Sequence, residues 1–212
     1  TPAQIVDQQL PVIALVGRVN VGKSTLFNKI LEENKAIVSD IAGTTREAIS
    51  ERITFHGQDI LLTDTAGVRR KRKVSEELET QMVKSSLAAV RNADIVVLLI
   101  DPNEGRLSDQ ELKLMFYAFE EHKALLLIYN KSDLMTPEKE NLLDYETSEY
   151  DYFLKNVPKI KTSCLTGKNV GLVMREIDKI RERLAQPINS AELTVEMHDY
   201  FRKKPLFHKG IK

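Results

Sequence analysis

Hydrophobic positions fall along the chain in two rhythms that alternate from about residue 11 to residue 185. Short, nearly continuous apolar runs at Val12–Val16, Ile95–Ile100 and Leu125–Tyr129, with a weaker one at Val157–Thr162, read as strands covered on both faces. Between them, apolar residues spaced three and four apart predict helices over Lys23–Glu33, Glu76–Val90, Ser108–Glu121 and Val170–Leu184. Ser108 and Glu111 carry the signature of a capping box for the third of these. Ala48–Thr63 has a different pattern: Ile49, Ile53 and Phe55, then Ile60 and Leu62, flank His56-Gly57-Gln58 and predict a hairpin.

Alternating strands and helices imply an α/β, three-layer fold around a mostly parallel, six-stranded sheet, with the hairpin supplying one antiparallel edge strand. Gln186-Pro187 breaks the pattern, and Ser190–Tyr200 predicts a further amphipathic helix with Leu193, Met197, Tyr200 and Phe201 on one side. The expected organisation is a lead-in or linker over 1–9, a main domain over 10–186, and a linker with one helix over 187–212.

Composition changes this picture little. Lys+Arg and Asp+Glu balance at 31 each, so bulk charge argues for neither a nucleic-acid nor a membrane partner, and either must be sought in local patches. The single Cys164 cannot form an intrachain disulfide, which suits a reducing cytoplasm. The apolar runs are too short to span a bilayer, and no charged leader with an apolar stretch opens the chain. The chain begins at Thr1 without Met, which reads as a fragment or processed form.

Candidate chemistry sits at the ends of the predicted strands. Gly17-Arg18-Val19-Asn20-Val21-Gly22-Lys23-Ser24 is a full GxxxxGK(S/T) between a strand and a helix, running on into Thr25. Its glycines let backbone N–H groups cradle phosphates at a helix N-terminus; Lys23 reaches the β- and γ-phosphates, and the Ser24 hydroxyl ligates Mg²⁺. Asp64-Thr65-Ala66-Gly67 closes the hairpin, where Asp64 can hold a Mg²⁺-bound water and Gly67 can offer its N–H to the γ-phosphate; alone, such an Asp is usually a cap. Gly43-Thr44-Thr45-Arg46 sits where a loop can close a Thr hydroxyl onto the metal, so Thr45 is a candidate ligand. Residues 39–47 and 66–75 read as two loops ordered by the γ-phosphate.

Asn130-Lys131-Ser132-Asp133 follows another strand. Asp133 can accept from guanine N1–H and the exocyclic amine, a donor pair that adenine lacks. Lys131 lies along the base in this reading, and Asn130 ties the loop to the phosphate loop. Thr162-Ser163-Cys164, with Leu165 after it, is either a plain strand end or a fifth element in which the Cys164 N–H meets guanine O6.

These five elements, in this order, resemble the translation-factor-related GTPases, and among the TrmE-Era-EngA-like group they are similar to the EngA/Der family. The diagnostic stretch is Asp64-Thr65-Ala66-Gly67-Val68-Arg69-Arg70-Lys71-Arg72-Lys73-Val74, which looks like the second of that family's two tandem GTPase domains. Asn20 to Asn28, Ile41 to Arg46 and Asp109-Gln110 after Glu104-Gly105 support it. Era and MnmE carry the same loop but fit the Arg-Lys-rich stretch less well. The resemblance implies a P-loop GTPase fold, hydrolysis of GTP to GDP, and a role in assembly of the bacterial large ribosomal subunit and its rRNA. It also makes 187–212 the linker and first helix of a truncated KH-like domain. The chain departs from the family pattern at Val19 for Pro, Ser132 for Trp and Cys164 for Ala.

Val68 follows Gly67 where Ras-type GTPases place the Gln that orients the attacking water, and valine cannot hydrogen-bond water. In the relatives an Asn at the position of Asn20 coordinates a K⁺ ion that replaces an arginine finger; the alternative is that Asn20 only bonds the loop backbone. The Arg69–Lys73 run is either an RNA-facing patch or a solvated loop. Two other function classes compete: a binding module with incidental turnover, and an ATP-dependent P-loop kinase, which Asp133 disfavours.

Overall fold

The computed structural model describes residues 11–33, 39–40, 49–55, 58–64, 76–187 and 189–203. Its strands are β1 (Val12–Gly17), β2 (Ser39–Asp40), β3 (Ile49–Phe55), β4 (Gln58–Asp64), β5 (Ile95–Ile100), β6 (Ala124–Tyr129) and β7 (Lys159–Lys161). The helices are α1 (Lys23–Glu33), α2 (Glu76–Asn92), α3 (Asp109–Glu120), α4 (Pro137–Ser148), α5 (Asp151–Leu154), α6 (Val170–Ala185) and α7 (Ser190–Lys203). Short 3₁₀ turns occupy Pro102–Glu104 and Ser132–Leu134.

The sheet order is β2-β3-β4-β1-β5-β6-β7. Strands β4, β1, β5, β6 and β7 join through parallel pairings, while β3 is antiparallel to both neighbours. Two expectations are corrected here. The sheet has seven strands rather than six, and the antiparallel strand lies one place in from the edge, because two-residue β2 pairs with its outer side. Ser39-Asp40 carries no hydrophobic pattern, so nothing in the sequence signals it.

Alternation within the central strands fills two cores. Ile13, Leu15, Val97, Leu99, Leu126 and Ile128 face one side and pack with Leu26 and Phe27 of α1 and Val173 and Ile177 of α6. Ala14, Val16, Leu98, Ile100, Leu127 and Tyr129 face the other and pack with Val90 of α2 and Leu114, Met115 and Ala118 of α3. A strand covered on both faces has no room for a polar position, and all six residues of β5 are buried.

The hairpin forms as expected, with Gln58 already paired to Phe55. Ser108 caps α3, and the reciprocal Ser108–Glu111 capping box is complete. Pale signals account for the rest. Helix α4 starts from Thr136-Pro137, but only Leu143 and Thr147 of it are buried, too few to show a helical stripe. Strand β7 is shorter than the run that suggested it and leaves both of its lysines exposed, as an edge position allows.

The chain divides into two units, residues 1–180 and 181–212. In the second, α7 forms with Asn189 accepting from the Ala191 N–H, and it presents Leu193, Met197, Tyr200 and Phe201 as exposed residues. Among the described residues no helix is long and apolar enough to cross a membrane.

Candidate functional site

Strand β1 delivers the chain to the crevice at the carboxyl ends of the parallel strands, where ligands bind in open α/β sheets. The turn it makes there depends on two glycines. Gly17 has φ +146°, and a Cβ on it would lie 2.4 Å from the Leu99 carbonyl oxygen of β5. Gly22 has φ +102°, and a Cβ on it would lie 2.2 Å from Asn130 Nδ2. Both are fixed by close approach of the neighbouring strand and loop, as well as by left-handed backbone. Asn20 stands at the exposed tip, also left-handed at φ +63°, a conformation that Asn tolerates better than most residues.

Lys23 is buried at the start of α1. Its ammonium donates to the carbonyls of Gly17 at 2.8 Å and Arg18 at 2.6 Å, closing the loop on itself. Ser24 is half-buried behind it, and Thr25 is exposed. Arg18 turns sideways instead: its Nη1 meets Glu104 Oε2 at 2.6 Å, and that hydrogen bond raises the already high guanidinium pKa.

The second loop is stitched to the first by one side chain. Asn130 is buried after β6, and its Nδ2 donates to the Val21 carbonyl at 2.8 Å. Its Oδ1 accepts from Thr162 Oγ1 at 3.2 Å and from the Cys164 N–H at 3.0 Å. One amide therefore joins the loops after β1, β6 and β7. Lys131 is left-handed at φ +59°, and its ammonium lies 2.6 Å from Asp101 Oδ2. Asp133 is exposed in the following 3₁₀ turn, which is anchored by the Ser132 N–H to the Thr162 carbonyl at 2.9 Å.

In the third loop the Cys164 N–H, which one of the two readings placed at guanine O6, donates to Asn130 Oδ1. A buried amide oxygen with two lone pairs takes the donors nearest to it, and this one is 3.0 Å away. Ser163 is buried too, with its hydroxyl accepting from the Thr166 N–H, while Leu165 is exposed at the turn. Burial pushes the Cys164 thiol up to about 11 against the pull of hydrogen bonds with Thr162 and Asn130, and the side chain packs in the core under α6.

Asp64 closes β4 in register with Leu15 of β1, one strand from the phosphate loop. Thr44, Thr45, Gly67, Val68 and Arg69–Lys73 lie outside the described residues.

The site also contains residues that sequence reasoning left out. Asp101, Asn103 and Glu104 follow β5 and reach both loops. Their signal was present: an Asp directly after an apolar strand, then Pro, then Gly105 in left-handed backbone, is a capped 3₁₀ turn.

Residues 12–131 match the family described as 50S ribosome-binding GTPase. GTPase Der of Caldanaerobacter subterraneus subsp. tengcongensis is 40% identical over 85% of this chain and 42% of its own length. GTPase Der of Finegoldia magna is 35% identical over 88% of this chain and 43% of its own. The chain thus spans about two fifths of the length of these relatives. Among solved structures, a variant of Era from Aquifex aeolicus bound to GDP·AlF4⁻ superposes with a TM-score of 0.59 at 27% identity, covering 80% of this chain and 56% of that one. Era in complex with MgGDPNP and a segment of 16S ribosomal RNA gives a TM-score of 0.58 at 28% identity, with the same coverage. The fold is that of the P-loop GTPases. The chain belongs to the 50S ribosome-binding GTPase family.

Proposed function

We propose that this chain binds GTP and GDP with Mg²⁺, hydrolyses GTP to GDP and phosphate, and works as a γ-phosphate-sensed switch. The observation that carries the reading is Asn130, whose side chain bridges the phosphate loop at Val21 and the base-side loop at Thr162 and Cys164. Such a bridge sets the distance between a phosphate pocket and a base pocket to one nucleotide.

The chain's own groups divide the work. Backbone N–H groups from Gly17 to Thr25 surround the phosphates at the N-terminus of α1, where the helix dipole favours negative charge. Lys23 exchanges the Gly17 and Arg18 carbonyls for phosphate oxygens. Asp133 accepts the two guanine donors, and Lys131 covers the base. Guanine O6 faces the loop of Ser163, Cys164 and Leu165, whose Cys164 N–H is shared with Asn130 Oδ1.

The oxygen donors available fit Mg²⁺, which takes hard ligands and needs few from protein when phosphates supply the rest. The Ser24 hydroxyl, at the first turn of α1, the Asp64 carboxylate, at the end of β4, and the Thr45 hydroxyl are its ligands in this reading. When bound, the metal neutralises charge on the β- and γ-phosphate oxygens. Gly67 supplies an N–H to the γ-phosphate. Asn20, exposed at the loop tip, supplies a side-chain oxygen for K⁺.

In the cell the longer protein acts in the cytoplasm in assembly of the large ribosomal subunit and its rRNA, a reading supported by the family's description. Residues 10–186 form the GTPase domain, and α7 begins a KH-like domain, which accounts for its exposed apolar residues.

Phosphate release under multiple turnover tests this reading against a module that only holds nucleotide. GTP with Mg²⁺ is expected to turn over while ATP does not, and Lys23→Ala should lower the rate on the order of a hundredfold at unchanged helical content. Tight GTP binding without catalytic turnover would favour the binding module.

A further inference from the structure

The segment between β5 and α3 touches both halves of the nucleotide site without itself supplying a ligand group. On the phosphate side Glu104 holds Arg18, at 2.6 Å. On the base side two contacts converge on one residue. Asp101 Oδ2 holds the Lys131 ammonium at 2.6 Å, and Asn103 Nδ2 donates to the Lys131 carbonyl at 3.2 Å. Asn103 is itself set by Asp101, whose Oδ1 accepts from the Asn103 N–H at 3.1 Å and from its Nδ2 at 3.0 Å. Lys131 is therefore gripped at both ends by one carboxylate, directly and through Asn103.

We propose that Asp101 is a positioning residue for guanine recognition, fixing Lys131 so that the turn carrying Asp133 is set before the base arrives. The proposal rests on the assignment of Asp133 to the guanine edge. Two features of Lys131 require such a hold. A lysine chain has more rotamer freedom than most side chains, and anchoring its end removes that freedom in advance of binding. Its left-handed backbone, at φ +59° and ψ +35°, is a conformation that a non-glycine residue keeps only when its surroundings impose it. Asp133 lies two residues further on, in the 3₁₀ turn that Lys131 opens. A small rotation at Lys131 moves the carboxylate that must meet two donors at once.

Asp101 also caps the 3₁₀ turn, so a purely structural role must be separable. Asp101→Asn separates them: one amide oxygen remains for the Asn103 N–H, while the charge that holds the ammonium is gone. The readout is base discrimination. Inosine diphosphate lacks the exocyclic amine and engages only one of the two Asp133 contacts, so the ratio of inosine diphosphate to GDP dissociation constants reports how well Asp133 is placed. Displacement of a fluorescent guanine nucleotide from the whole chain gives both constants. Asp101→Asn is expected to narrow the ratio about fivefold. Glu104→Gln, which severs the Arg18 contact on the same segment, should leave the ratio at its wild-type value whatever it does to affinity. An unchanged ratio in Asp101→Asn, or equal narrowing in both variants, would overturn the proposal. A wild-type chain with no preference for GDP over inosine diphosphate would remove the Asp133 assignment itself, and this proposal with it.

Discussion

Single residues in this chain do their work through hydrogen-bonding geometry more than through shifted acidity. Asp133 illustrates it: in the proposed role its value lies in two acceptor oxygens on an exposed turn whose backbone is anchored at Ser132 to the Thr162 carbonyl. Guanine offers two donors to that carboxylate, and xanthine, with a carbonyl where guanine has the amine, does not. Asp133→Asn presents one donor and one acceptor and so suits xanthine. The substitution is expected to weaken GTP by about 3 kcal/mol, on the order of a hundredfold, and to strengthen xanthosine triphosphate. Calorimetric titration with both nucleotides checks it, and retained GTP preference would end the base assignment.

At the scale of elements, three loops from strands β1, β6 and β7 are held together by Asn130. Replacing it by alanine strands a carbonyl at Val21 and an N–H at Cys164 in a buried place, each costing about 1–3 kcal/mol. Asn130→Ala should therefore lower unfolding stability by about 3 kcal/mol in a urea titration and abolish nucleotide binding together. Lost binding at wild-type stability would mean that Asn130 acts on the ligand and not as a bridge. Most of this architecture was legible in advance, because apolar runs such as Ile95–Ile100 leave a strand no alternative and GxxxxGKS is placed between a strand and a helix. The role of Asn130 as a tie was legible too. What stayed hidden were features made by pairing and not by pattern. Ser39-Asp40 becomes a strand only because β3 offers it an edge. The Cys164 N–H turns inward only because Asn130 lies within reach of it. Asp101 drew no reading from the sequence, because its partner Lys131 lies 30 residues later.

On the scale of the whole molecule, a chain with 31 positive and 31 negative residues gains nothing from its net field, so catalysis and partner choice must come from charges placed one at a time. Hydrolysis shows the consequence. The transition state spreads negative charge over the β–γ bridge, and an arginine finger there is worth about 10³–10⁵ in rate. The one arginine in the phosphate loop is not available for that task, since Arg18 is committed to Glu104 at 2.6 Å. Lys23 is assigned to the β- and γ-phosphates in the proposed reading, and Val68 cannot orient water. A mobile cation can fill the role if oxygen ligands await it, and Asn20 holds a side-chain carbonyl at the exposed tip of the loop in left-handed backbone. Large monovalent ions prefer such carbonyl cages, and K⁺ fits a wider cage than Na⁺. GTP hydrolysis should accordingly run at least about tenfold faster in K⁺ than in Na⁺ at equal ionic strength, a small part of what a full arginine finger supplies. Asn20→Ala should erase that difference while leaving GDP affinity within about threefold, because the proposed reading gives the GDP phosphates to backbone N–H groups and Lys23. Phosphate release measured in the two salts, with the variant alongside, decides the matter. Equal wild-type rates in K⁺ and Na⁺ would exclude the cation, and a K⁺ response that survives in Asn20→Ala would place its ligands elsewhere.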